Sequence, residues 1–310
     1  MGKKICNFLG SLWGEILQRP TDIGGMMRAL DGFMTSDGKA KGLAEPVCPT
    51  DVFISPFAKC GTTWMQQIVH GLRTGGDMSF DEITAVTPWI EMAHDLGLPL
   101  EPQPGAFRAF KSHQSWDEIP KGGRYIVVLR DPVDAMVSLF RFFEGWFFET
   151  GSVSMEEFAQ YVLNERDGRD YWSHLASWWD VRDRDDVLVL SYESMKHDLH
   201  AAVTQVADFL RIEDPVIRGI AEAQAQFAFM KAHERQFDDH LTRAARDAAC
   251  GLPPGSVASK VNKGEAGSGK PLVSNNVQAA FAAKWTETIG ARFGFGEYAA
   301  LRAALEGQPG

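Results

Sequence analysis

Asp51-Val52-Phe53-Ile54-Ser55-Pro56-Phe57-Ala58-Lys59-Cys60-Gly61-Thr62-Thr63-Trp64 sets an apolar run, a proline, a lysine, a glycine and two threonines in close order. Val52 to Ile54 predict a short buried strand, which Pro56 stops from continuing as a paired central strand. Gly61 permits a tight loop with exposed backbone N–H groups. Trp64, Ile68, Val69 and Leu72 then recur at helical spacing, so a helix opens at Thr62 to Trp64. Strand, loop and helix N-terminus together form an anion cradle. Lys59 adds a mobile cation, and the hydroxyls of Thr62 and Thr63 add donors, so the preferred ligand is a phosphate-like or sulfate-like group.

The 310 residues around this stretch are 45% hydrophobic, enough for one large α/β domain. A net charge of -10 and a pI near 5.3 argue against a nucleic-acid partner, which would need clustered Lys and Arg. Cys6, Cys48, Cys60 and Cys250 show no Cys-x-x-Cys spacing and no His partners at metal-ligand intervals, which predicts a reduced, cytoplasmic protein without a metal. Asn7, Gly10, Ser11 and Glu15 break up the start before a secretory core forms. No apolar run reaches the ~20 residues of a membrane span, so no integral membrane association is expected.

Residues 1–50, punctuated by Gly24, Gly25, Gly32, Gly38, Gly42, Pro46 and Pro49, read as an arm packed on a domain of residues 51–310. Residues 107–111 predict a second strand, and residues 125–129 predict a stronger one, apolar on both faces. Asp131 and Pro132 then read as N-cap and first position of a helix. Ser154 with Glu157 forms a capping-box pattern for a helix to about Val162. A helix over 169–182, a buried strand over 187–190 and a series of helices to about Asp247 follow. Residues 250–276 lack periodicity and read as a functional loop. Val277 to Ile289 predict a final helix, and Glu306 to Gly310 a frayed end. Strand and helix alternate throughout, which predicts a parallel β-sheet covered by helices on both faces, with a P-loop-like strand-loop-helix at its centre.

A nucleotide P-loop places its Lys directly after the last Gly, whereas Lys59 precedes Gly61 by two residues. Lys-x-Gly-Thr-Thr-Trp instead resembles the 5′-phosphosulfate loop of the soluble, cytosolic type of sulfotransferase, which uses 3′-phosphoadenosine 5′-phosphosulfate (PAPS). Cys60 stands where the family commonly has Ser. Further patches share the resemblance. Phe110-Lys111-Ser112-His113 is similar to the family's Lys-Thr-His, which implies that His113 is the catalytic base, and imidazole suits that task near neutral pH. Arg130 and Ser138 resemble the pair that holds the 3′-phosphate. Leu190-Ser191-Tyr192-Glu193 resembles the segment that brings a Tyr to the adenine, with Phe227 and Trp64 as stacking rings. Asn262-Lys263-Gly264 with Gly267-Ser268-Gly269-Lys270 resembles the family's cofactor-covering loop, although Asn262 replaces Arg and Ser268-Gly269 replaces Asp-Trp.

The resemblance implies transfer of a sulfuryl group from PAPS to an acceptor hydroxyl or amine, with PAP as product and no metal. In that scheme Lys111 stabilises charge on the sulfuryl group and Lys59 steadies the departing phosphate. The aromatic run from Phe140 to Phe148, with Trp89, Phe80 and Phe107, predicts an apolar pocket and hence a hydrophobic small molecule or lipid as acceptor. A homodimer is compatible with the family. The alternatives are a P-loop nucleotide kinase or phosphotransferase, and a PAP-binding protein without catalysis.

Overall fold

In the computed structural model, which describes residues 18–164, 170–254, 267 and 269–307, four parallel strands lie in the order β2-β1-β3-β4. They are β1 (Val52–Ile54), β2 (Ala109–Lys111), β3 (Arg124–Leu129) and β4 (Val187–Ser191). The ladder extends past β1 through Ser55, whose N–H donates to Ile126 O at 2.9 Å, and ends at Pro56, which has no N–H to give.

The period of two explains why these strands are apolar throughout. Val52, Ile54, Ile126, Val128 and Leu190 pack against the Thr62–Thr74, Leu199–Leu210 and Pro215–Ala225 helices. Phe53, Tyr125, Val127 and Leu129 belong to the core on the opposite face, beneath the Pro132–Trp146 and Tyr171–Trp179 helices. There Phe53 stacks on Phe110 and Tyr125, with ring centroids 5.4 and 5.6 Å apart.

Local chemistry sets most helix starts. Asp131 caps the helix that Pro132 opens, accepting from Val133 N at 2.9 Å. Ser154 N donates to Glu157 Oε2 at 2.9 Å and Glu157 N to Ser154 Oγ at 3.2 Å, a complete capping box for Met155–Asn164. The third helix is shorter than residues 169–182, because Asp170 caps it at Tyr171 and it closes at Trp179. Val277 to Ile289 is not the last helix. Asn275–Trp285 continues through a π turn at Thr286–Gly290, and Tyr298–Glu306 forms a further helix with Tyr298 and Leu301 buried. Glu306 is held by the Ser194 hydroxyl and does not fray, while residues 308–310 lie outside the described residues.

The arm contributes two helices, Ile23–Phe33 and Ser36–Leu43. Gly38 and Gly42, one turn apart, let the second approach the chain at residues 90–95 closely. A Cβ on Gly42 would lie 1.8 Å from Ile90 O, and one on Gly38 would lie 2.3 Å from Asp95 Oδ1. Among the described residues, no helix is long and apolar enough to cross a membrane.

Two buried histidines make stability depend on pH. Burial holds both His70 and His174 down to about 4. Their unfolded forms bind protons first as pH falls below about 6.5, so the stability each confers is intact above that pH and lost between about 6.5 and 4. The loss approaches ~3 kcal/mol per ring. Urea midpoints measured across that range are expected to fall steeply in wild type and less steeply in His174→Phe; an identical slope in both would contradict this origin.

Candidate active site

The loop after β1 is built for a ligand. Gly61 caps the Thr62–Thr74 helix at φ 98°, a left-handed conformation that favours glycine, and no side chain caps the helix start. A Cβ there would sit 3.1 Å from Tyr192 Cδ2. Thr62 Oγ1 is buried and has no hydrogen-bond partner among the described residues. An uncapped helix N-terminus beside an orphaned hydroxyl fits an anion. Lys59 is left-handed at φ 67°, a strained conformation for a residue with a side chain, and its Nζ lies 4.1 Å from the centroid of the Phe142 ring. Cys60 turns inward. Its N–H donates to Phe57 O at 3.1 Å, closing the turn, and burial pushes its thiol up to about 12, which leaves it inert.

Arg130 ends β3 next to this loop. Its Nη1 donates to Lys59 O at 2.8 Å, and its guanidinium lies 4.3 Å from the centroid of the Tyr192 ring. Its Nε is buried without a partner among the described residues, while its carbonyl accepts from the Tyr171 hydroxyl. Pairing of Arg130 with Asp131 or Asp134 does not occur, since Asp131 caps its helix and Asp134 is engaged elsewhere. Ser138 lies two turns into the same helix, half-buried. Tyr192 starts the helix after β4, and Trp64 meets its ring edge-on at 5.7 Å. Trp64 Nε1 donates to Ala225 O at 2.8 Å, which ties the cradle helix to the chain just before Phe227. Phe227 itself is 43% exposed, unusual for Phe and available for stacking.

At the end of β2, His113 is held on both sides. Nδ1 lies 2.7 Å from Pro56 O, so Nδ1 carries the proton and Nε2 is the basic nitrogen of the neutral ring. Trp89 packs edge-on against the ring at 5.2 Å and also carries Lys111, whose Nζ is 3.9 Å from its centroid. Trp89 and Phe142 thus each hold one lysine of the site. Phe80 and Phe107 lie elsewhere. Phe80 packs with Ile83, Met230 and Phe237 in a separate cluster, and Phe107 joins the core under the Thr62–Thr74 helix. Phe140 and Phe148 pack with Phe158 in the interior. An aromatic run names apolar residues without saying which way each ring points.

Asn262, Lys263, Gly264 and Ser268 lie outside the described residues. The chain beside them is docked on Asp134, which no motif singled out, and on the N-cap Asp131. Asp134 accepts from Gly267 N at 2.5 Å and Gly269 N at 2.8 Å, and Lys270 Nζ lies 3.2 Å from Asp131 Oδ2. A Cβ on Gly269 would come within 2.6 Å of Asp134 Oδ1, which explains the glycine at a position where the motif carries Trp. Glu193 accepts from Asp131 N and from the Tyr298 hydroxyl, so the last helix also braces the site.

The candidate residues therefore lie at the carboxyl ends of the four parallel strands, the usual ligand position in an open parallel sheet. Residues 49–291 match the family model described as the sulfotransferase domain, and the chain belongs to that family, as a PAPS-dependent sulfotransferase. It is 28% identical over 224 residues to human sulfotransferase 4A1, spanning 67% of this chain and 73% of that protein. It is also 28% identical to the luciferin sulfotransferase of Photinus pyralis over 195 residues, 52% of this chain and 51% of that protein. In fold it resembles mouse sulfotransferase SULT7A1 complexed with PAP, at a TM-score of 0.64 and 18% identity, covering 88% of this chain and 94% of the other.

Proposed function

We propose that the protein transfers the sulfuryl group of PAPS to a hydroxyl or amine of a hydrophobic small molecule or lipid, with His113 as the base. The bond between His113 Nδ1 and Pro56 O carries this reading, because it puts the ring proton on Nδ1 and makes Nε2 the basic nitrogen. PAPS would supply the activated sulfuryl group. Lys59, Gly61, Thr62 and Thr63 would hold its phosphosulfate end; Arg130 and Ser138, with Asn262, Lys263 and Gly264, its 3′-phosphate; and Trp64, Tyr192 and Phe227 its adenine. Thr62 Oγ1 and Arg130 Nε support the fit, as buried donors still to be satisfied.

Lys111 would stabilise charge on the transferring group and Lys59 charge on the departing phosphate, while His113 takes the acceptor proton. No divalent metal is required in this scheme, since a sulfuryl group carries less charge than a phosphoryl group. Trp89 and Phe142 favour an apolar acceptor, because each presents a ring beside a site lysine. The luciferin sulfotransferase relative, by its name, acts on luciferin. Cys48, Cys60 and Cys250 are free thiols, compatible with the cytoplasm.

Calorimetry of PAP and of ATP with magnesium tests the donor. PAP is expected to bind without metal, and Arg130→Ala to weaken it by about 10- to 100-fold, the worth of a charged hydrogen-bond pair. Binding of ATP with magnesium but not of PAP would overturn the reading in favour of a phosphotransferase.

A further inference from the structure

Glu91 lies in the segment that runs beside β2, where Lys111 N donates to Pro88 O at 2.8 Å and Ile90 N to Lys111 O at 2.9 Å. Its side chain is 1% exposed, and a buried carboxylate is costly unless donors surround it. Three donors converge on its Oε1: the Ser112 hydroxyl at 2.7 Å, His113 N at 2.9 Å and Gln114 Nε2 at 3.0 Å. They come from three consecutive residues, the middle one being His113. Oε2 has no hydrogen-bond partner among the described residues. A carboxylate serving core stability alone would gain from satisfying both oxygens, whereas this one is spent on a single turn.

We propose that Glu91 is the positioning residue for His113. It fixes the backbone of the turn that leaves β2, while Trp89, two residues earlier in the same rigid segment, fixes the ring from its edge. Backbone and ring are thus gripped from one side by one short segment, and Pro56 O sets the tautomer from the other. The inference rests on His113 being the base. A carboxylate at this place leaves donor binding to other residues, so its loss displaces the base and spares the nucleotide. Displacement of a reacting group by about 1 Å costs on the order of 100-fold in rate.

The test compares Glu91→Ala, Glu91→Gln and His113→Ala for kcat, acceptor KM, PAP affinity by calorimetry and thermal unfolding. Glu91→Ala is expected to lower kcat by about 30- to 100-fold, with PAP affinity and acceptor KM within about threefold of wild type. Glu91→Gln, of equal volume and with one acceptor oxygen kept, is expected to lose less and decides the matter should the alanine variant not fold. Wild-type kcat in the folded Glu91 variants beside an inactive His113→Ala would overturn the positioning role, as would a kcat loss matched by equal loss of PAP binding. An active His113→Ala is the separate result that would overturn the base assignment, and this inference with it.

Discussion

His113→Ala is expected to lower turnover by about 100- to 10,000-fold while leaving PAP affinity within about threefold, measured by product formation at saturating PAPS and by calorimetry. The magnitude is that of a positioned base. The sparing of PAP is expected because His113 Nδ1 bonds Pro56 O and His113 N bonds Glu91, neither of them a residue proposed to grip the nucleotide, a role given to Arg130, Tyr192 and the start of the Thr62–Thr74 helix. This pair of readouts separates the proposed phosphosulfate loop from the proposed base. Retained turnover in this variant would remove His113 from the chemistry, and lost PAP binding would recast it as part of the nucleotide site.

Gly42→Ala is expected to cost about 2–3 kcal/mol of stability in urea unfolding and to reduce turnover in whatever remains folded. The added methyl would meet a backbone oxygen, Ile90 O at 1.8 Å, which cannot rotate away as a long side chain can. Either the Ser36–Leu43 helix lifts or the 90–91 segment yields, and that segment carries Glu91 against the turn at His113. Gly219→Ala in the Pro215–Ala225 helix is the control, since a Cβ there meets nothing within 4 Å and replaces a poor helix former. Equal stability of the two variants would show that the arm is not fitted to the site.

The parts of the fold that sequence reveals are those whose causes are local. Phe53 and Tyr125 are apolar because both faces of their strands are covered, and that pattern survives in short strands. Asp131-Pro132 and Ser154 with Glu157 announce helix starts through side chains that act within three residues. Lys59, His113, Arg130 and Tyr192 stand at or within five residues of the ends of strands that the apolar pattern marks, which is where the motif resemblances single them out as candidates. Glu91, Asp134 and Tyr171 were not, because their partners are 22, 135 and 41 residues away and no spacing rule links them. The Tyr298–Glu306 helix did leave a trace, in Tyr298, Leu301 and Leu305 at intervals of three and four, behind the glycines at 294 and 296.

The bond from Arg130 Nη1 to Lys59 O joins the ends of two adjacent parallel strands, β1 and β3, whose spacing the sheet itself holds near the ~4.8 Å of any hydrogen-bonded pair. In the proposed reading it makes the crevice a ruler. The grip on the sulfated end of a nucleotide and the grip on its far phosphate are fastened to each other, so neither can slide to suit a shorter or longer ligand. In that reading an adenylate that lacks the second anionic group would engage one grip and not the other, so selection among nucleotides would turn on the distance between their charges.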